Sequence, residues 1–242
     1  MAISFPYSQY NNIKFCKYQK TLYFPLNLTR RESVMKKIYL LIALSFLSLN
    51  LMAAEKRILM MVSEGFYAPE YYVPYKAFKN AGYHVTTATK YKRATNPDER
   101  QLSTYAAVIP DLTFDQINVN DYDAIVFAGG NGAWEDFFPN PDVHQALAAF
   151  IKNDKIVALL CSSTGLLALA NNLDGMGEPL AKGMNVTGYK RVRGLLEKIG
   201  EVKYSPGIDG LPHVVVDGKL ITGRDPISAM AFAQVVVREL GK

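Results

Sequence analysis

The sequence predicts an α/β domain built on a mainly parallel sheet, and two observations predict it. Short continuous apolar runs at residues 57–62, 123–128 and 155–160 have the character of strands buried on both faces. Segments of helical character alternate with them, which calls for crossover connections, right-handed by the rule for parallel pairs. With 49% hydrophobic residues in 242, the chain carries enough apolar surface for one such core.

The elements follow in order. Residues 57–62 are the first strand. A helix over 70–80 comes next, ended by Gly82, with Pro74 expected in its first turn. Residues 84–88 read as the second strand. The polar stretch 90–102 carries Pro97 and reads as loop, and 105–109 as a short strand. Residues 123–128 run as a buried strand into Gly129-Gly130. Pro141-Asp142 opens a helix to about residue 153. Residues 155–160 deliver the chain to Cys161, and a helix over 163–171 follows directly. A further helix is expected over 191–199. Residues 213–216 and 219–222 flank Asp217-Gly218, a hairpin signal because that pair supplies the positive φ angles of a tight turn. A helix over 226–240 closes the chain. No repeat or low-complexity linker interrupts it, so one domain is expected over residues 55–242.

Before that domain the chain is different. Residues 1–54 hold a net charge of +6, which leaves −1 for the remainder of a chain whose total is +5. A near-neutral domain offers no broad basic face to a phosphate backbone, so a nucleic-acid partner is not expected. Met35-Lys36-Lys37, the apolar run 38–49 and the small pair Ala53-Ala54 have the layout of a secretory signal peptide over 35–54. The run is shorter than the ~18–20 residues a membrane-spanning helix needs, so no membrane attachment is expected after cleavage. The expected location is periplasmic or secreted. Residues 1–34 have no helical or strand period, and they read as an upstream extension or as a start assigned too early, with translation beginning at Met35. Processing would remove Cys16 and leave Cys161 as the single thiol. A lone thiol in an exported protein is buried and inert, bridged to another chain, or reactive.

Three segments place candidate chemistry at the carboxyl ends of strands, where open α/β sheets gather functional groups. In the first, Cys161 ends a strand and opens a helix, as in the elbow that lifts a nucleophile out of a sheet. The positive end of that helix would favour thiolate, while the competing reading is a small buried core cysteine. In the second, Gly129-Gly130-Asn131-Gly132 follows a strand. Its backbone N–H groups could face an oxyanion, or it could be an ordinary tight turn. The third is Glu70, whose place at a helix start is favourable for any acid.

Together these segments resemble the ThiJ/PfpI (DJ-1-like) family. The likeness is carried by Glu70-Tyr71-Tyr72-Val73-Pro74, by Asp121-Tyr122-Asp123-Ala124-Ile125-Val126 leading to Gly129-Gly130, by Ile156-Val157-Ala158-Leu159-Leu160-Cys161, and by Thr222-Gly223-Arg224-Asp225-Pro226. The resemblance implies a flavodoxin-like, doubly wound sheet between helices, with the glutamine-amidotransferase-like elbow. It implies Cys161 as nucleophile or oxidation-sensitive thiol, with Glu70 against its sulfur sharing a proton. It implies the backbone N–H groups of Gly130 and Ser162 as the oxyanion pocket, a homodimer, and neither cofactor nor metal. Family members include glutathione-independent glyoxalases, which convert methylglyoxal to lactate, along with deglycases, hydrolases and redox-responsive chaperones. The glyoxalase and chaperone-like branch is the nearest.

This sequence also departs from the pattern. Catalytic branches place a histidine directly after the cysteine, and here Ser162 stands there, a poor general base. Thr187-Gly188 is followed by no carboxylate of the kind the glyoxalase branch carries. Leu159 and Ser163 replace small residues around the cysteine, so a reshaped elbow is expected. His84 and His144 read as structural or solvent-facing, and His213 precedes a hairpin strand away from the motif. These histidines also lack metal-ligand spacing. Trp134 reads as core, with the pocket mouth as the alternative, and Tyr189 as a pocket residue. Arg224 and Ser228 could bind an anion, though capping by Asp225-Pro226 is the simpler account. A true amidotransferase is excluded, because His213 is followed by Val214-Val215 where that class needs His-x-Glu. Two function classes remain. One is a cysteine-dependent enzyme acting on small carbonyl compounds by glyoxalase, deglycase or hydrolase chemistry. The other is a non-catalytic thiol protein that senses oxidants or binds electrophiles.

Overall fold

The computed structural model describes residues 55–170 and 177–242, with Tyr39 alone before them. The expected extension 1–34 and signal segment 35–54 therefore lie, but for Tyr39, outside the described residues, as does the single residue 171 of the expected helix 163–171.

The strands are β1 (Arg57–Met61), β2 (His84–Thr89), β3 (Leu112–Thr113), β4 (Ala124–Phe127), β5 (Ile156–Leu160), β6 (Asn185–Val186), β7 (Lys203–Tyr204), β8 (Val214–Asp217) and β9 (Leu220–Gly223). Seven of them make one sheet in the order β3-β2-β1-β4-β5-β9-β8, parallel except for β8, which runs against β9. The α-helices are α1 (Ala68–Asn80), α2 (Pro141–Lys152), α3 (Leu166–Leu169), α4 (Arg193–Lys198) and α5 (Ala229–Leu240). This is the expected mainly parallel, flavodoxin-like sheet. The order in which the chain adds strands reverses between β1 and β4, the kind of point where such folds open a ligand crevice.

The apolar strand runs are continuous because both faces are covered. Alternate residues of β1 point to opposite sides: Leu59 and Met61 join Phe127, Leu159, Leu147 and Phe150, and Ile58 and Met60 join Phe78, Phe232 and Val236. Helices α1 and α5 cover the second face.

Four local expectations are corrected. Pro74 lies inside α1 rather than in its first turn, which Pro69 occupies. Because Pro74 has no N–H, the Glu70 carbonyl loses its intrahelical partner. No strand forms at 105–109. Val108 only bridges to Thr95, and the edge strand is β3, placed by Asp111, whose carboxylate and N–H both bond the Thr87 backbone. The segment after Cys161 is a 3₁₀ turn, Cys161–Gly165, followed by four α-helical residues. The hairpin turn is Gly218-Lys219, since Asp217 pairs with Leu220, and of these two only Gly218 has positive φ.

Candidate active site

Three chain segments meet at the carboxyl ends of β1, β4 and β5. Glu70 sits in the first turn of α1, whose Ala68 N–H is capped by the Gln101 side chain at 2.8 Å. Its carboxyl is fully buried rather than facing solvent, so the favourable-helix-start reading does not explain it. A Cβ at Gly129 would collide with the Glu70 carboxyl and lie 2.6 Å from the Leu160 carbonyl and 2.7 Å from the Cys161 Cβ. Gly129 is therefore a close-approach glycine that lets acid and thiol share one space.

Cys161 keeps the strained elbow, with φ of 61°. Hydroxyls hold it there. Ser163 Oγ accepts from the Leu160 N–H at 3.1 Å and donates to the Leu160 carbonyl at 2.8 Å. Thr164 Oγ1 donates to the Cys161 carbonyl at 2.7 Å, and that carbonyl also accepts from the Tyr189 N–H at 3.1 Å. Ser163 thus braces the elbow, and Leu159 is wholly in the core, so these two departures leave the turn intact.

Charge at the site is set by burial. Both Glu70 oxygens are buried without a well-formed hydrogen bond. Desolvation dominates and raises Glu70 from its usual 4.5 to about 8. The Cys161 thiol and the Gly129 N–H pull weakly the other way, and the charge of Asp225 pushes further up. The Cys161 thiol is also pushed up, by burial first and then by Glu70, with the Ser162 N–H opposing. At neutral pH the pair is a carboxylic acid beside a thiol, and the two titrate as one coupled unit. The thiolate expected from a helix start is not what this geometry favours, because the structure supplies only a 3₁₀ turn and one short α-helix behind the sulfur.

Ser162 is where the expected oxyanion pocket changes most. Its Oγ donates to the Gly130 carbonyl at 2.6 Å and accepts from the Gly130 N–H at 2.9 Å. The Gly130 N–H is therefore already engaged, while the Ser162 N–H faces the sulfur. In front of Cys161 opens a cavity of about 280 Å³, lined also by Tyr67, Asp98, Arg100, Asn131, Trp134 and Tyr189.

A model of the DJ-1/PfpI family matches residues 56–239. The chain belongs to the DJ-1/PfpI family. General stress protein 18 of Bacillus subtilis is 29% identical over 177 residues, covering 73% of this chain and 93% of that one. A deglycase of Pyrococcus horikoshii is 27% identical over 185 residues, covering 76% and 99%. The crystal structure of glyoxalase III from Candida albicans superposes with a TM-score of 0.64 at 20% identity, over 76% of this chain and 96% of that one, a likeness of fold.

Other residues of this DJ-1/PfpI chain fall into place around the pair. Trp134 is 45% exposed, stacks edge-on against Phe138 and lines the cavity, so it belongs to the mouth and not to the core. His213 bonds Ser205 Oγ at 2.9 Å and does not line the cavity. His144 is half-buried, and its buried Nε2 has no partner, which leaves it structural. Arg224 is spent on the carbonyls of Pro206, Ile208 and Leu211 and on Asp225, while Asp225 caps Ser228, so no anion site forms there. Asp98 and Arg100 also line the cavity, and they lie in the polar stretch 90–102, where the sequence signals only loop. Asp98 is buried, receives the Arg100 guanidinium at 2.7 and 2.8 Å, and also accepts from Asn131. Nothing in a polar stretch marks one aspartate as buried, and the only trace was the Asp98-Glu99-Arg100 spacing. Asp225, read only as a cap, also bears on the pair.

Proposed function

We propose that this protein is a cysteine-dependent enzyme acting on small carbonyl compounds, of the glyoxalase or deglycase kind. One observation carries the reading: Glu70, with a pKa near 8, is buried against Cys161 at the floor of a small cavity. A group poised near working pH can both hold and release a proton, which general acid–base chemistry needs and a structural carboxylate does not. A cavity of about 280 Å³ has roughly the volume of nine waters, which suits a three-carbon α-oxoaldehyde. On such a compound Cys161 Sγ bonds the aldehyde carbon and the thiol proton passes to the carbonyl oxygen, giving a hemithioacetal. The Glu70 carboxylate then takes the C1 hydrogen as a proton and returns it to C2, while the C1 hydroxyl proton passes to the C2 oxygen. C1 is thereby oxidised to a thioester and C2 reduced to an alcohol, and water releases the hydroxy acid and the free thiol.

Two features support modest turnover. No histidine lines the cavity, and both partners of the Ser162 hydroxyl are on Gly130, so it shuttles no proton. The same absence favours the second reading, a thiol that senses oxidants. A raised thiol pKa counts against it, because peroxide attack needs the thiolate. The sequence pattern of residues 35–54 supports export of the protein, and the family resemblance supports a homodimer; both belong to the proposal. The test is lactate formation from methylglyoxal by the mature protein. It is expected to rise with pH toward about 8 as Glu70 ionises and to vanish in Cys161→Ala. Lactate no faster than in buffer, or equal in Cys161→Ala, overturns the enzyme reading.

A further inference from the structure

We infer that Ser162 is an internal occupant of the anion pocket beside Cys161, a gate whose hydroxyl must leave Gly130 before a substrate oxygen can use that backbone donor. The inference rests on Cys161 as the attacking group and not on which carbonyl compound it attacks.

Gly130, Cys161 and Ser162 line one cavity, so a carbon bonded to Sγ would carry its oxygen among them. Two backbone N–H groups are near that place. The Ser162 N–H is directed at the sulfur, and the Gly130 N–H is bonded at 2.9 Å to Ser162 Oγ. The same hydroxyl donates to the Gly130 carbonyl at 2.6 Å, so both its roles are filled by one residue. The two bonds differ in what they leave behind. The Gly130 carbonyl has another donor, the Ala133 N–H at 3.4 Å, whereas the Gly130 N–H has no partner besides Ser162 among the described residues. Gly130 is held in place independently, since its φ of 128° is open only to glycine, a Cβ there would lie 2.5 Å from the Tyr67 nitrogen and 2.6 Å from the Phe66 Cα, and Phe66 bridges to it. Loss of the hydroxyl would therefore expose a fixed donor rather than let the loop drift. A preorganised donor of this kind is typically worth a factor of about 10²–10³ when it meets an oxyanion, and nothing when it is already satisfied. Ser162 itself is nearly inaccessible at 3% exposure, so the hydroxyl cannot trade Gly130 for bulk water without a local opening.

The experiment separates oxyanion formation from access to the sulfur. Acetyl transfer from p-nitrophenyl acetate forms the Cys161 S–acetyl bond and breaks the aryl ester bond through an oxyanion, releasing p-nitrophenolate, with the thiol proton passing to solvent. Alkylation by iodoacetamide displaces iodide from carbon without one. Both rates are measured on the native protein, Ser162→Ala and Ser162→Thr, with Ser162→Gly carried as a second way of removing the hydroxyl. Removing the hydroxyl is expected to raise acylation about tenfold or more while alkylation stays within a factor of about two. Ser162→Thr is expected to restore slow acylation. Acylation that is unchanged or slower in both hydroxyl-less variants, or alkylation that rises in step with acylation, overturns the gate. Faster acylation in Ser162→Ala without lactate from methylglyoxal in any variant would sustain the gate and remove only the choice of substrate.

Discussion

Glu70→Gln isolates the cost of keeping an acid in this site. Glu70 titrates near 8 in the fold against 4.5 when solvated. The folded-state pKa is raised, so the fold is favoured by full protonation below 4.5 and progressively penalised as pH climbs toward 8, where the penalty levels off. At about 1.36 kcal/mol per pKa unit the penalty is about 0.8 kcal/mol at pH 5 and about 3.3 kcal/mol at pH 7. Glutamine has nearly the same shape and does not titrate. Its amide donors can be left unpaired in the buried site, at a cost of about 1–3 kcal/mol, but that cost does not depend on pH. The slope therefore carries the argument and the offset does not. Urea unfolding of residues 55–242 at several pH values should show Glu70→Gln gaining about 2.5 kcal/mol on the native chain between pH 5 and pH 7. For a domain of this size, that is roughly 5–10 °C in Tm. A difference that stays flat over this range would mean Glu70 ionises at its ordinary pH, and the proton-carrying role would fall with it.

Two further outcomes follow from the same geometry. The Cys161 thiol should alkylate with a midpoint well above its usual 9.0, and Glu70→Gln should lower that midpoint, because a neighbouring negative charge is removed; a midpoint below neutrality in the native chain would contradict the burial argument. Arg224→Met should cost about 3 kcal/mol in urea unfolding, since it strips a buried guanidinium from Asp225 and from three loop carbonyls. Amide exchange at residues 206–211 should rise in the same variant, and unaltered protection there would show that the loop is held by something else.

Most of the fold was legible because a strand buried on both faces leaves an uninterrupted apolar run. The three such runs became β1, β4 and β5, each within about a residue of the expected limits. What was not legible depended on partners distant in sequence. Residues 105–109 look as apolar as a strand, yet Ile109 is 73% exposed, and the edge pairing goes instead to Leu112-Thr113, because Asp111 can stand in for a ladder bond. Pro74 was placed by the rule that proline belongs in a first turn. Two prolines in one helix cannot both obey it, and Pro69 had the better claim.

The site divides along the same line. Cys161 and Glu70 could be found because each stands at the end of a recognisable element. The consequence of Ser162 could not, because the Ser162–Gly130 clasp spans 32 positions and exists only where the ends of β4 and β5 lie side by side. Sequence reasoning registered that position as a histidine absent. The structure shows a hydroxyl present, with its own partners, and the distinction changes the chemistry expected. An absent base predicts a site that is slow because protons move badly. A hydroxyl already bonded to the Gly130 donor predicts one that is slow because its oxyanion position is filled. Burial compounds the second effect: a neutral acid beside a neutral thiol generates no charge until a carbonyl carbon is attacked. At that moment the oxygen needs the very N–H that Ser162 holds. The resting site is thus neutral, with its Gly130 donor already taken, and the proposed attack on a carbonyl has to begin by breaking one of the site's own hydrogen bonds.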